Sequence, residues 1–151
     1  MLNEIVKDAK YINMMQDSAR EVLSYLIHKN CSFGILCRLE FTLFTPPLPS
    51  EIEQTLRDVT LFYLAGYTLE SAYLQDRKII FEAGFGSDNF GSIVEVEIGS
   101  IMQIIVEDTP IFINLSEYKK PQKIKEKDDN GVQNSISSFL SNPENEKFFK
   151  R

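Results

Sequence analysis

The chain has 151 residues, of which 43% are apolar and 25% charged, proportions that are ordinary for a soluble globular protein. This length suffices for one domain with a buried core. The formal net charge of -6 argues against a protein that binds nucleic acid through a broad basic surface.

The two cysteines, Cys31 and Cys37, have a spacing that fits neither a metal knuckle nor a secreted disulfide framework. We therefore expect reduced thiols. The first residues contain acids and no continuous apolar run, unlike a signal peptide, and no stretch approaches the ~20 apolar residues of a membrane span. The predicted compartment is the cytoplasm, with no membrane partner.

An amphipathic helix is predicted over residues 17–29. Ser18 and Glu21 form a capping-box pattern near its start, and Asn30 is a plausible end. A weaker helical pattern precedes it over residues 2–9. The apolar stripe of the main helix consists of Met15, Ala19, Val22, Leu23, Leu26 and Ile27.

The periodicity then changes from helix to strand. Residues 35–44 alternate with a period of two, which predicts one half-buried strand that the following prolines end. A short helix is predicted over 51–58. The run 59–75 is apolar on both faces at first, which indicates a strand buried on both sides or one whose second face meets a ligand. Gly66 within it suggests a bulge or a close backbone approach.

Further strands complete a β-rich domain. Turns are predicted at residues 76–77 and 108–110, and the strands between and after them cover 78–85, 94–98, 101–108 and 111–115. Five or six strands preceded by a helix predict a mainly β (α+β) fold, a small β-sandwich or barrel over residues 33–116.

The glycine-rich segment GFGSDNFG (84–91) raises the question of a phosphate or metal site. Its glycines do not have the GxGxxG spacing, and a strand pattern follows where a phosphate-binding loop requires a helix. The segment also lacks the acids that a Ca²⁺ site needs. A hairpin turn is the preferred interpretation, with no cofactor and no metal.

No catalytic arrangement emerges from the sequence. His28, the one histidine, is best explained as a solvated residue at a helix end. Glu95 and Glu97 share a strand face and could imitate a catalytic carboxylate pair, although a solvated face explains them better. We expect a protein that is not an enzyme.

The character of the chain changes near residue 117. Residues 117–151 hold eight of the 16 Lys and Arg but six of the 22 Asp and Glu, so this part is +2 and the remainder -8. A flexible linker is predicted over 117–138. Residues 139–151 form an apolar-basic tail suited to docking on a partner, with a frayed terminus as the alternative. Its last four residues are Phe148, Phe149, Lys150 and Arg151.

The order of these elements resembles the SspB family, adaptors that deliver tagged proteins to the ClpXP protease, and most of all its alphaproteobacterial branch. The resemblance covers about residues 16–115. It rests on the segments QDSAREVL (16–23), LEFTLFTP (39–46), SEIEQTLRD (50–58), KIIFEAGFGS (78–87) and VEVEIGSIMQII (94–105). The sequence departs from the family pattern at Gly84, at Glu97 and in LFYLAGYTLESAYL (61–74).

The resemblance implies a homodimer, a groove for an ssrA-type tag peptide, and a tail that docks on the N-terminal domain of the ClpX unfoldase. The implied dimer helix presents Ala19, Val22, Leu23 and Leu26. The implied groove residues are Leu64, Gly66, Tyr67, Ala83, Gly84, Phe85, Ile101 and Met102. Each of these has core packing as an alternative, which is preferred for Phe85 and Ile101.

Two alternatives from other classes remain at this point. The first is a small-barrel RNA-associated protein, which the acidic body disfavours. The second is an enzyme that uses the groove as a catalytic cleft.

Overall fold

Four helices and eight strands make up residues 1–120, the part of the chain that the structure, a computed structural model, describes. The helices are α1 (Leu2–Lys7), α2 (Ala9–His28), α3 (Ser50–Glu53) and α4 (Gly66–Ser71). The strands are β1 (Phe33–Arg38), β2 (Thr42–Thr45), β3 (Val59–Leu64), β4 (Tyr73–Gln75), β5 (Lys78–Phe85), β6 (Phe90–Glu97), β7 (Ile101–Val106) and β8 (Thr109–Ile113).

The strands form two antiparallel sheets of four. Sheet A has the order β3-β1-β7-β8, and sheet B has the order β2-β6-β5-β4. Helix and strand account for 35% and 38% of the described residues. The protein is therefore α+β, which confirms the predicted α+β class. The prediction of a mainly β fold underestimated the helix content, which nearly equals the strand content.

The chain changes sheet four times, and two of these changes occur through a single turn of 3₁₀ helix. Leu39–Phe41 carries it from β1 in sheet A to β2 in sheet B, and Ile98–Ser100 carries it back from β6 to β7. The prediction of one strand over 35–44 was therefore wrong. Apolar residues continue at alternate positions through the first turn, which hides the break from a periodicity argument.

The run 59–75 also divides differently from its prediction. It forms β3, α4 and β4, and β3 is buried on one face only. Gly66 is not a strand bulge: it begins α4 with a φ of 56°, in the left-handed region that glycine adopts without a steric cost.

Helix α2 begins eight residues before its predicted start at residue 17. Asp8 is extended and separates α1 from α2, so Ser18 lies inside the helix and no capping box forms there. The predicted end is confirmed, because α2 stops at His28 and Asn30 takes a left-handed φ of 58°.

The apolar stripe of α2 packs into the chain's own core. Ala19, Leu23 and Leu26 are buried among inward-facing residues of both sheets, and Val22 packs against the same cluster. The assignment of this stripe to a dimer interface was therefore wrong. A helix whose apolar face is already covered within one chain cannot offer that face to a second copy.

Phe62 joins the two sheets. Phe62 is on β3 of sheet A, and Phe81 and Phe85 are on β5 of sheet B. The centroid of the Phe62 ring lies 5.8 Å from that of Phe81 and 6.4 Å from that of Phe85. Phe44 on β2 completes the cluster at 6.2 Å from Phe62 and 5.7 Å from Phe85. These separations are typical of favourable aromatic pairs.

Two hairpins connect neighbouring strands in regular ways. Residues 86–89 form the predicted turn between β5 and β6, with the amide of Asn89 donating to the Gly86 carbonyl oxygen at 3.1 Å. The turn predicted at 108–110 lies instead at Glu107 and Asp108, both with positive φ, and Pro110 is part of β8.

Both cysteines are free thiols. Cys37 is buried in the core, and this burial raises the pKa of its thiol to about 12, so it is not a reactive thiolate at neutral pH. No helix within residues 1–120 combines the length and apolarity needed to cross a membrane. Residues 121–151 lie outside the described residues, and they include most of the predicted linker and all of the predicted docking tail with Phe148, Phe149, Lys150 and Arg151.

Removing the Phe62 ring should destabilise the fold. We expect Phe62→Ala to lower the free energy of unfolding by about 3–5 kcal/mol, the usual cost of a buried Phe→Ala change. The measurement is urea unfolding at a fixed protein concentration. The control is Leu43→Ala, at a side chain 56% exposed on sheet B, and its effect should stay near 0.5 kcal/mol. Equal losses in the two variants would contradict the packing described.

Candidate functional site

A groove of about 560 Å³ lies beside sheet B, where the start of α4 approaches β5 and β6. Its lining combines small residues, main-chain atoms and a few polar side chains. The lining residues are Thr45, Pro46, Ala65, Tyr67, Thr68, Glu82, Ala83, Gly84, Asn89, Gly91, Ser92 and Ile93.

Beside this groove no strand that the structure describes pairs with the edge of β5, although α4 contacts this edge at Glu82. Strand β4 pairs with β5 only at residues 78–80, so no strand of the described chain pairs with this edge at residues 82–85. The amide of Glu82 points to that side, because it donates to the Ser71 hydroxyl oxygen of α4 at 2.9 Å. Main-chain groups two residues apart in a strand point the same way, so those of Gly84 face the same edge.

Two glycines lie on the outer face of the hairpin, and the face is open only at Gly91. Gly84 and Gly91 lie opposite each other in the β5–β6 ladder, and both line the groove. A Cβ on Gly91 would meet open space, whereas one on Gly84 would overlap the Asn89 side chain. Asn89 therefore covers the face of Gly84, whereas Gly91 allows another chain to approach this surface closely.

The Pro46 loop forms another part of the lining. Ser92, almost fully buried on β6, donates its hydroxyl proton to the Pro46 carbonyl oxygen at 2.9 Å. This hydrogen bond ties the end of β2 to the centre of sheet B. It holds Thr45 and Pro46 in place at the groove.

Tyr67 and Glu82 form a hydrogen-bonded pair at the groove. The Tyr67 hydroxyl, on α4, donates to the Glu82 carboxylate on β5 at 2.5 Å. This hydrogen bond and the negative charge of Glu82 raise the pKa of the Tyr67 phenol, with a smaller contribution from Glu70. The groove lining includes no Lys, Arg or His, so its charge at neutral pH is negative.

The structure brings three of the eight predicted groove residues together: Tyr67, Ala83 and Gly84. Leu64 and Ile101 are fully buried in the core, so their placement in the groove was wrong. Phe85 packs against Phe62, in agreement with the core packing that was the preferred interpretation for this residue.

The remaining two predicted residues lie elsewhere. Gly66 is next to the groove in sequence but does not line it. Met102 lines a separate, smaller cavity beside Tyr118, so its assignment to the groove was wrong as well.

Several lining residues were missed by the sequence reasoning. Gly91 could have been found, because a four-residue turn at 86–89 places it opposite Gly84. Thr45 and Pro46 could not, since their position depends on the transfer of β2 to sheet B. Glu82 was hidden because nothing in the sequence shows that β4 ends before reaching it.

The candidate catalytic residues do not meet at this site. Glu95 pairs with Lys78 at 3.2 Å, and Glu97 accepts a hydrogen bond from the Tyr118 hydroxyl at 2.6 Å. His28 ends α2, where its Nδ1 donates to the Ser24 carbonyl oxygen at 2.8 Å. Within residues 1–120, no three His, Cys, Asp or Glu side chains are grouped to hold a metal ion.

Comparisons with protein-family models, with curated proteins and with solved structures found no match to this chain.

The Tyr67–Glu82 pair can be tested by titration. We expect Glu82→Gln to lower the pKa of Tyr67, because the substitution removes both the carboxylate acceptor and its negative charge. The measurement is the pH dependence of the Tyr67 ring signals by NMR. The control is Glu95→Gln, which removes a carboxylate from the same sheet outside the groove. An unchanged Tyr67 pKa in Glu82→Gln would contradict the pairing.

Proposed function

We propose that this protein is a non-enzymatic adaptor of the bacterial cytoplasm that binds an extended peptide along the open edge of β5. The peptide class that we propose is the ssrA-type degradation tag, delivered to the ClpXP protease. The observation that carries the peptide-binding part is the edge of β5 beyond Glu82, which no strand of residues 1–120 covers and which lies beside a groove.

An open strand edge suits an extended peptide better than a compact ligand. A peptide added as a strand obtains its affinity from main-chain hydrogen bonds and its specificity from pockets for alternate side chains. The segment 82–85 is about 13 Å long at the usual strand rise of ~3.3 Å per residue. Within it the Glu82 amide already donates to Ser71, so Gly84 supplies the main-chain donor for a partner strand. The segment can therefore pair with a short sequence motif, while the open surface at Gly91 accommodates a side chain of the peptide.

The charge of the groove restricts which part of a peptide it would accept. Glu82 is the carboxylate of the lining, and no lining residue carries a positive side chain. A free C-terminal carboxylate would be repelled there, whereas an amide, hydroxyl or cationic group would find an acceptor. We therefore expect the groove to hold an internal or amino-terminal segment of a tag and to leave its C-terminus free.

Delivery requires no chemistry from the adaptor. One site holds the tag, and a second contact with the unfoldase raises the effective concentration of the substrate. In the resemblance to the SspB family, the second contact is the apolar-basic segment 139–151, which binds ClpX. The resemblance itself rests on the order of the segments in residues 16–115.

Filling the groove should abolish peptide binding without harming the fold. We expect Gly91→Val to weaken binding of a fluorescent ssrA-type peptide by at least about tenfold, or 1.4 kcal/mol. A Cβ at Gly91 meets no protein atom within 4 Å, so the new side chain enters free space at the groove. The measurement is fluorescence anisotropy, with a scrambled peptide as the reference ligand.

The matched control is Gln75→Val, which places the same side chain on an exposed strand position of sheet B outside the groove. It should bind like the unsubstituted protein. Absence of saturable binding by the unsubstituted chain would overturn the peptide-binding proposal. If binding occurs but removal of residues 139–151 leaves ClpXP degradation of a tagged substrate unchanged, the delivery proposal fails by itself.

A further inference from the structure

Among residues 1–120, no strand pairs with the outer edge of β3, and the outward face of this strand is apolar and exposed. It is an edge strand of sheet A, and its sequence, VTLFYL, contains no charge, proline or glycine. Val59, Leu61 and Tyr63 point away from the core and are between two-fifths and three-fifths exposed. Such an edge is a template for pairing with another strand.

The other three sheet edges are protected by features that β3 lacks. Strand β4 has three residues, and β2 has four and runs directly into Pro46 and Pro47. Strand β8 contains Pro110, which has no amide proton to donate. Short length and proline are common means of preventing edge pairing, so the unprotected edge of β3 stands apart.

A second copy of this chain is the partner that fits best. A twofold interface brings the same surface of two molecules together, so any charge near the axis would meet its own copy. Residues 1–116 carry a net charge of -8, yet the outward row of β3 is uncharged. Depletion of charge is typical of the centre of such interfaces.

Antiparallel pairing of β3 with the same strand of a second copy relates the two molecules by a twofold axis. Residues directly opposite in an antiparallel pair lie on the same face of the sheet. A register centred on Leu61 therefore places Leu61 beside the same residue of the partner and Val59 beside the partner's Tyr63. The two copies of sheet A would form one sheet of eight strands, with the apolar rows adjoining.

We propose that the protein forms a homodimer through β3 in this way. This interface differs from the dimer helix implied by the SspB resemblance, whose apolar stripe is buried, and it does not depend on the proposed function. Three outward side chains and one strand edge provide less contact than the about 800 Å² per partner of a standard interface. We therefore expect a dimer that dissociates on dilution.

The test is the molar mass of the full chain by light scattering over a concentration series. The unsubstituted protein should approach twice 17.4 kDa at high concentration. Leu61→Lys should remain a monomer, because two lysines would be adjacent at the axis. Leu61→Glu should be monomeric for the same reason, and an equimolar mixture of the two variants should recover the dimer.

The matched control is Leu43→Lys, since Leu43 is exposed to 56% on an edge strand of sheet B and Leu61 to 54%. It should dimerise like the unsubstituted protein. Circular dichroism serves to check that each variant is folded. A monomeric unsubstituted protein, a dimer that persists in Leu61→Lys, or a mixture that stays monomeric would overturn the proposal.

Discussion

The contact of Phe62 with Phe81 and Phe85 determines which residues of β5 face the core and which face solvent. Because these two rings face the core, the alternate residues Glu82 and Gly84 face outward. The same alternation directs the main-chain groups of Glu82 and Gly84 toward the side where β4 has ended. Packing between the sheets thus sets the orientation of the candidate site, although no residue of the Phe62 cluster lines it.

Local patterns predicted the parts of the fold that depend on neighbouring residues. The hairpin at 86–89 and the end of α2 at Asn30 follow from glycine and asparagine in left-handed conformations. The sheet change at Leu39–Phe41 was not predictable, because apolar alternation continues through this turn while the chain leaves its sheet. The same limit explains the groove: Ala83 and Gly84 were found on one strand, but Leu64 and Ile101 are core residues of the other sheet.

Two sheet edges with different properties account for the two proposed interactions. The part of β5 that no strand of the described residues covers is short and lies beside α4 and the open surface at Gly91, which suits a short peptide. The free edge of β3 is six residues long and carries an apolar row, which suits a matching strand from a second copy. A dimer formed through sheet A would leave the groove beside sheet B of each copy accessible, so one assembly could present two peptide sites.

The central claim is that a tag peptide binds by pairing with the edge of β5. Its most direct test is amide hydrogen exchange measured by NMR, residue by residue, with and without a saturating ssrA-type peptide. The account predicts that the Gly84 amide, which faces the open edge, gains protection when the peptide binds, whereas the amides of β3 are unaffected at constant protein concentration. Peptide binding that leaves exchange at Gly84 unchanged and protects another surface would contradict it.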